Sequence, residues 1–411
     1  MKVVIVGAGI IGACTAWYAA KAGLEVTVVD RGPVAGGTTS RGEGNILLSD
    51  KAPGAELDLA MLSRRLWTEL GAHLGAEALE LESKGGLVVA STAPGLALLH
   101  RFAAEQAGVG VVAETVGPRD LARLEPRLAP GLPGGVHYPQ DAQVQPVLAA
   151  ARILEAARAL GVQAQLGDEV VAARIGAGGA VAGVVCRSGT VIEADAVVNA
   201  AGTWGSQVGA LLGAPVEILP RRGFILVTEP VPAGFVRHKV YSADYVANVA
   251  ASGAGLETSV VVESTRGGTV LIGASRERVG FDATMAPDVV TRLAAQACSL
   301  FPALREVSLI RVYRGFRPYC RDHLPVIGPD PRVHGVLHAC GHEGAGIGLA
   351  PGTGALVTAH LTGDRELADR FAAFRPDRLL GPHPDQAPPR AAASGQALSG
   401  NVINAQNGEE E

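Results

Sequence analysis

The chain is poor in lysine, in net positive charge, in paired cysteines and in long apolar runs, and each shortage removes a class of function. Only five of its 35 cationic side chains are lysine, at Lys2, Lys21, Lys51, Lys84 and Lys239, and the rest are arginine. An arginine is therefore no signal in itself, and a site built on lysine beyond residue 239 is excluded. The formal net charge of −5 offers no basic face to nucleic acid and no attraction to an anionic membrane. Cys14, Cys186, Cys298, Cys320 and Cys340 include no C-x-x-C pair, which excludes the common iron–sulfur and zinc spacings and a disulfide framework. A reducing cytoplasm is the expected setting. No apolar run reaches the length of a spanning helix, about 18 residues. The N-terminal "MKVVIVGAGIIGACTAWYAA" has some features of a secretory signal, but its glycines fall where a strand-to-helix bend needs them, so it reads as mature structure.

What is present is a chain of 411 residues, 48% hydrophobic and 18% charged, enough for two domains. "KVVIV" predicts a short buried strand, Ile10 to Ala22 a helix ended by Gly23, and "EVTVVD" a second strand closing at Asp30. A loop of small polar residues follows, then a helix from about Gly54 to Leu74. Residues 86 to 140 read as irregular, with short strands and a proline-rich stretch. A helix is predicted from Pro146 to Leu160, with proline in the first turn, where its missing donor is harmless. Strands follow between 163 and 200. Residues 216 to 315 alternate strands with one helix near 287 to 300. The last helix is predicted to end near Leu361. Residues 381–411 have no periodicity and are expected to form a disordered tail.

Glycine carries the chemistry. Gly7, Gly9 and Gly12 follow the first strand and open the first helix, and an acidic residue, Asp30, lies 18 positions past Gly12 at the end of the next strand. That context suits a dinucleotide fingerprint: Gly7 for the tight turn, Gly9 for close approach of the backbone to a pyrophosphate, Gly12 for helix–sheet packing. Phosphates would rest on the amides at the helix N-terminus, and Asp30 would accept from a ribose hydroxyl. Two later strands, "DAVVNAAG" and "VLHACG", also end in glycine bends, at Gly202 and Gly341. Ligands collect beyond the carboxyl ends of strands in open α/β sheets. Three such ends, drawn from distant parts of the chain, favour one elongated ligand, a flavin dinucleotide over a nicotinamide one. For "GHEGAGIGLAPGTG" two uses stand together: amides placed against a ligand, and small residues Gly344, Gly348 and Gly352 packing a helix tightly. His338, Cys340 and His342 alternate, but no carboxylate shell accompanies them and no metal site is expected.

The segments "VVIVGAGIIGACTAWYAAKAGLEVTVVDR", "TSRGEGN", "VVNAAGTW", "GFRPYCRDHLPVIG" and "GHEGAGIGLAPGTG" together resemble the D-amino-acid-oxidase superfamily of flavoproteins, over nearly the whole chain up to about residue 380. Within it the likeness is greatest to glycine oxidase, the flavin subunits of hydrogen cyanide synthase, and D-hydroxyproline or opine dehydrogenases. The resemblance implies an α/β fold: a Rossmann-like FAD-binding domain assembled from residues 1–85, 141–215 and 316–380, and an antiparallel-sheet substrate domain of residues 86–140 and 216–315. It implies non-covalent FAD, because the position nearest the covalent cysteine of some sarcosine oxidases is Gly315. It implies cofactor contacts from Gly7, Gly9, Ile10, Ile11, Gly12, Asp30 and Arg31, then from Thr38, Thr39, Ser40, Gly44 and Asn45. Further contacts are implied from Val170, Ala200, Gly202 and Trp204, and from Gly341, Glu343, Gly344, Ala345, Gly346 and Ile347.

Arg317, in the matching G-x-R-P segment, is implied to grip a substrate carboxylate in a two-pronged bond, with Tyr245 (or Tyr241) over the substrate and His342 shaping the pocket. The implied reaction is oxidation of the C–N bond of a small amino or imino acid (a D-amino acid, hydroxy-D-proline, glycine or sarcosine, or an opine) by hydride transfer to flavin N5. The electrons would pass to a partner protein, a quinone or oxygen. The strand that carries an oxygen-activating lysine in some relatives shows Leu271 here, which favours a dehydrogenase. The alternative is a flavin subunit that is inactive without small iron–sulfur subunits.

Overall fold

The computed structural model describes residues 1–243 and 253–380. Tyr245 and the tail at 381–411 lie outside the described residues. A six-stranded sheet runs in the spatial order Val326–Pro329, Val336–Cys340, Ala196–Asn199, Lys2–Val6, Glu25–Asp30, Gln163–Leu166. All neighbours in it are parallel except Val326–Pro329, which returns antiparallel to Val336–Cys340. Its central strands are continuous apolar runs because both faces are covered.

Helices Ile10–Lys21 and Gly346–Thr362 lie against each other on this sheet. Their contact is set by Gly354: a Cβ there would stand 2.7 Å from the carbonyl carbon and oxygen of Cys14. Pro351 sits inside the late helix, where it removes the amide that would serve Ile347. The indole of Trp67 donates to the carbonyls of Ile347 and Gly348 at 3.1 and 3.2 Å, and Ser63 Oγ accepts from Gly352 N at 3.0 Å. The helix therefore tolerates its proline because the neighbouring helix Ala55–Leu74 supplies the missing partners.

A second sheet of eight strands runs in the order Leu309–Tyr319, Leu219–Pro230, Thr269–Arg276, Glu257–Ser264, Lys239–Ser242, Gly86–Ala90, Gly134–Tyr138, Glu114–Val116. Only its Lys239–Ser242 and Gly86–Ala90 pair is parallel. Helix Pro287–Leu300 packs on one face. The stretch 86–140 is more regular than its composition suggests, for it holds helices Ala93–Ala107 and Pro118–Leu124. The Pro-Gly pair at 94–95 opens a helix: Thr92 caps it, accepting from Gly95 N at 3.2 Å, with proline in the first turn. Among the described residues no helix is long and apolar enough to cross a membrane.

Candidate active site

The three glycine bends meet. At the ends of Lys2–Val6, Ala196–Asn199 and Val336–Cys340 a single elongated cavity opens. Gly7, Gly9, Ile10 and Ile11 line it, as do Ala200 and Gly202, and as do Gly344, Gly346 and Ile347 from the late loop and helix. Gly7 has φ +122°, and a Cβ there would come within 2.4 Å of Ala200 O, so only glycine lets the first and second bends close together. Asp30 lines the cavity, and its carboxylate accepts from Ala8 N and Gly32 N at 2.7 Å each, which stiffens the phosphate-type turn. Thr39 Oγ1 accepts from Ile10 N at 3.1 Å, and Thr38 Oγ1 joins Thr203 Oγ1 at 2.8 Å and Phe316 O at 3.0 Å. At the outer end Arg31 lies 4.4 Å over the Trp204 ring and 3.7 Å from Glu169, next to Val170.

Some expected residues stand behind the wall. Gly12 has no room for a Cβ, which would fall 1.8 Å from Gly7 O, and Gly44 is equally closed by Val144 O at 1.7 Å. Ser40 Oγ donates to Gly37 O at 3.1 Å, Gly341 makes the bend with φ +78°, and Ala345 N–H is spent on His342 O at 2.9 Å. Tyr241, the alternative to Tyr245, is buried away from the cavity with its hydroxyl on Ser49 Oγ; burial, then the charge of Asp141, pushes its phenol well above the usual range. In the late helix, Gly348 and Gly352 serve packing, against Asn45–Ile46 and Leu59–Ser63, whereas Gly344 faces open space beside Arg317.

The cavity suits a dinucleotide on its own donors. Among the described residues the N–H groups of Ile11 and Gly12, and those of Gly346, Ile347 and Gly348, find no acceptor. Two helix N-termini thus aim unpaired amides and positive dipole ends at one cavity, one suited to phosphate and the other to an electron-rich ring edge.

The other end is built on the eight-stranded sheet. Arg317 lines the cavity and donates from Nη1 to Ser275 O at 2.8 Å; the guanidinium fills the space over Gly223, where a Cβ would lie 2.2 Å from Nη1. His342 faces the cavity with Nε2 2.9 Å from Thr353 Oγ1, and burial pulls its pKa down to about 3, so the ring is neutral. Glu343 holds φ +46° and pairs with Arg221 and with His323, which is itself left-handed at φ +59°. Burial alone would raise the Glu343 carboxyl, but His323 and Arg221 outweigh it and hold it below its ordinary value. Two strained non-glycine residues bonded to each other at a cavity wall are typical of a functional site.

The sequence reading passed over Glu43, which is buried, lines the cavity and accepts from Asn45 Nδ2 at 3.0 Å. It also set Lys239 aside. That buried lysine reaches the wall residues Asn45 and Glu43, the latter at 3.6 Å, and Glu263 at 2.8 Å. The only available signal was two charges, Arg41 and Glu43, in a loop otherwise made of small residues.

The model of the family described as FAD dependent oxidoreductase matches residues 2–360. Glycine oxidase of Geobacillus kaustophilus (strain HTA426) is 30% identical over 386 residues, 92% of this chain and 97% of that protein. Hydrogen cyanide synthase subunit HcnC of Pseudomonas aeruginosa is 30% identical over 239 residues, 58% of this chain and 53% of the subunit. In fold, the L-proline dehydrogenase of P. horikoshii superposes with a TM-score of 0.83 at 22% identity, covering 92% of this chain and 97% of that one. The three-bend cavity and these likenesses agree: the chain belongs to the FAD dependent oxidoreductase family of D-amino-acid-oxidase type, with FAD as its cofactor.

Proposed function

We propose that the protein oxidises the C–N bond of a small amino or imino acid whose carboxylate is held by Arg317. The observation that carries this reading is the position of that guanidinium: seated in the void over Gly223, it shares one cavity with the amides at the start of helix Gly346–Thr362. FAD, when bound, supplies the two-electron acceptor. Ile11 and Asp30 would hold its phosphate and ribose side, and Gly346 and Ile347 would meet its ring. Arg317 fixes the substrate, and its planar fork suits a carboxylate better than lysine would. His342, neutral and bonded to Thr353, keeps a wall free of charge beside the reaction. We take residues 1–85, 141–215 and 316–380 as the cofactor-binding part and 86–140 with 216–315 as the substrate part.

Non-covalent attachment is supported by Gly315, where a Cβ would lie 2.4 Å from Arg41 Cβ and so leaves no place for a thiol. FAD is accordingly expected in the supernatant after acid precipitation. The subunit character of HcnC keeps a second reading open, a flavin chain that needs partner subunits to discharge its electrons.

Anaerobic titration of the purified yellow protein with glycine, sarcosine, D-proline, hydroxy-D-proline and an opine tests the proposal. Bleaching by at least one, lost in Arg317→Met, is expected. No bleaching by any of them overturns it. Reoxidation by oxygen, by a quinone or only with added subunits then separates oxidase, dehydrogenase and partner-dependent forms.

A further inference from the structure

We propose that Glu43 receives the nitrogen of the substrate, so that Glu43 and Arg317 together form a two-ended clamp for an amino or imino acid. This rests on the reading of Arg317 given above. The sheet positions the two groups. Arg317 occupies the void over Gly223, and Glu43 the void over Gly273, where a Cβ would lie 2.1 Å from Glu43 Oε1. Leu226 pairs with Ile272, which puts Ile225 next to Gly273, and Arg222 pairs with Glu277, so the register slips by one residue beyond them. Gly223 lies two residues from Ile225 and so projects to the same face, which is the cavity face. Gly223 and Gly273 are thus near neighbours across the two strands, with the slip close by, and the side chains over both of them line the cavity.

A cation and an anion stand over these two glycines and do not pair with each other. Their opposite charges suit the two ends of an α-amino acid, whose carboxylate and nitrogen share one carbon. A side chain larger than hydrogen at 223 or 273 would fill the place of one of the clamp's ends.

Glu43 has the free valence for this role. Its Oε2 accepts from Asn45 Nδ2 and lies near Lys239, whereas its Oε1 is buried and accepts no hydrogen bond among the described residues. A buried carboxylate oxygen without a donor is costly unless something fills the demand. Lys239 does not satisfy it, being 3.6 Å from Oε2 and bonded to Glu263 and Asn45. An N–H of a bound amine would. The clamp also selects: a 2-hydroxy acid brings one hydrogen-bond donor and no cationic form, and a plain carboxylate brings neither.

The test uses the holoenzyme and ligands that cannot be oxidised. 2-Aminoisobutyrate has no Cα hydrogen to lose, and isobutyrate is the same acid without nitrogen; 2-methylproline and 1-methylcyclopentanecarboxylate form the matching cyclic pair. Dissociation constants are read from the flavin spectrum or by calorimetry. In the parent protein at least one nitrogen-bearing probe is expected to bind more tightly than its nitrogen-free partner. Glu43→Gln should weaken that probe roughly tenfold to a hundredfold, the range of a charge-assisted hydrogen bond, with the partner probe within about threefold. Gly273→Ala should shift binding in the same sense with every charge retained, because its methyl displaces Oε1. Binding of the nitrogen-free probe shows that each variant is folded and loaded.

Equal binding of both probes by the parent, or equal changes for both probes in the two variants, overturns the role of Glu43. Arg317→Met is expected to weaken all four probes. If it weakens none, the carboxylate assignment fails, whatever Glu43→Gln shows.

Discussion

Replacing Gly354 by alanine tests the idea that close contact of two helices sets the width of the cofactor groove. The new Cβ would meet the Cys14 carbonyl carbon and oxygen at 2.7 Å and Thr15 N at 3.0 Å, all backbone atoms that no side-chain rotation can move. Ordinary contact begins near 3.4 Å, so the helices must part by more than half an ångström. Overpacking of this kind costs about 1–3 kcal/mol. Alanine recovers up to about 1 kcal/mol of helix propensity. Backbone on both sides puts the cost in the upper part of that range, so the net loss is about 1–2 kcal/mol, a fall in Tm of roughly 1–2 °C at about 2.1 cal/mol/K per residue over 411 residues.

The same parting moves the amides of Gly346 and Ile347 away from those of Ile11 and Gly12, so FAD affinity should fall as well. Thermal unfolding followed by flavin fluorescence, with titration of apoprotein by FAD, measures both effects. Gly117→Ala is the control, since nothing lies within 4 Å of a Cβ there. If Gly354→Ala matched the parent in both Tm and FAD affinity, the argument that backbone contact sets the groove would be wrong.

Two further predictions concern stability. His342 titrates near 3 in the folded protein against an ordinary value of 6.5, so above pH 6.5 it adds no pH dependence. Below 6.5 the unfolded chain takes up the proton and the folded chain does not, so stability falls toward pH 3 by up to about 1.4 kcal/mol per pH unit from this residue. His342→Asn should remove that component, and denaturation curves across this range should show it; an unchanged pH slope contradicts it. Trp67→Phe keeps an aromatic ring but removes the pyrrole half of the indole, with the donor to the Ile347 and Gly348 carbonyls at Pro351 and some buried volume, and should cost about 1–3 kcal/mol or more in equilibrium denaturation. A variant as stable as the parent would mean that the proline needs no outside partner.

The local signals were clear where a residue's demand is met by its neighbours in sequence. Gly7 needs a left-handed turn after a strand, and the β-branched run before it and the helix after it state that need within twenty residues. Proline in the first turn of Pro146–Ala159 is of the same kind. The helix at Ala93–Ala107 was missed because a Pro-Gly pair is ambiguous: only the Thr92 side chain, turned back onto Gly95 N, makes it a helix start. Ala345 illustrates the converse. The sequence marks it as one of a row of small residues with amides to offer, but the turn uses its amide on His342 O.

From the order of residues alone came the strand-to-helix glycine turns, the acidic end of the second strand and the likeness to a flavoprotein superfamily, which in turn singles out Arg317 among thirty arginines as the one to test. Folding alone decided which distant groups share a wall: Glu43 over Gly273, Arg317 over Gly223, and Trp67 beneath Pro351. The physical reason is range. Backbone conformation is dictated by neighbours a few residues away, whereas Glu43 and Arg317, 274 residues apart (317 − 43), meet one wall only because distant strands pair beneath them, and nothing in either stretch of chain says where the other will be.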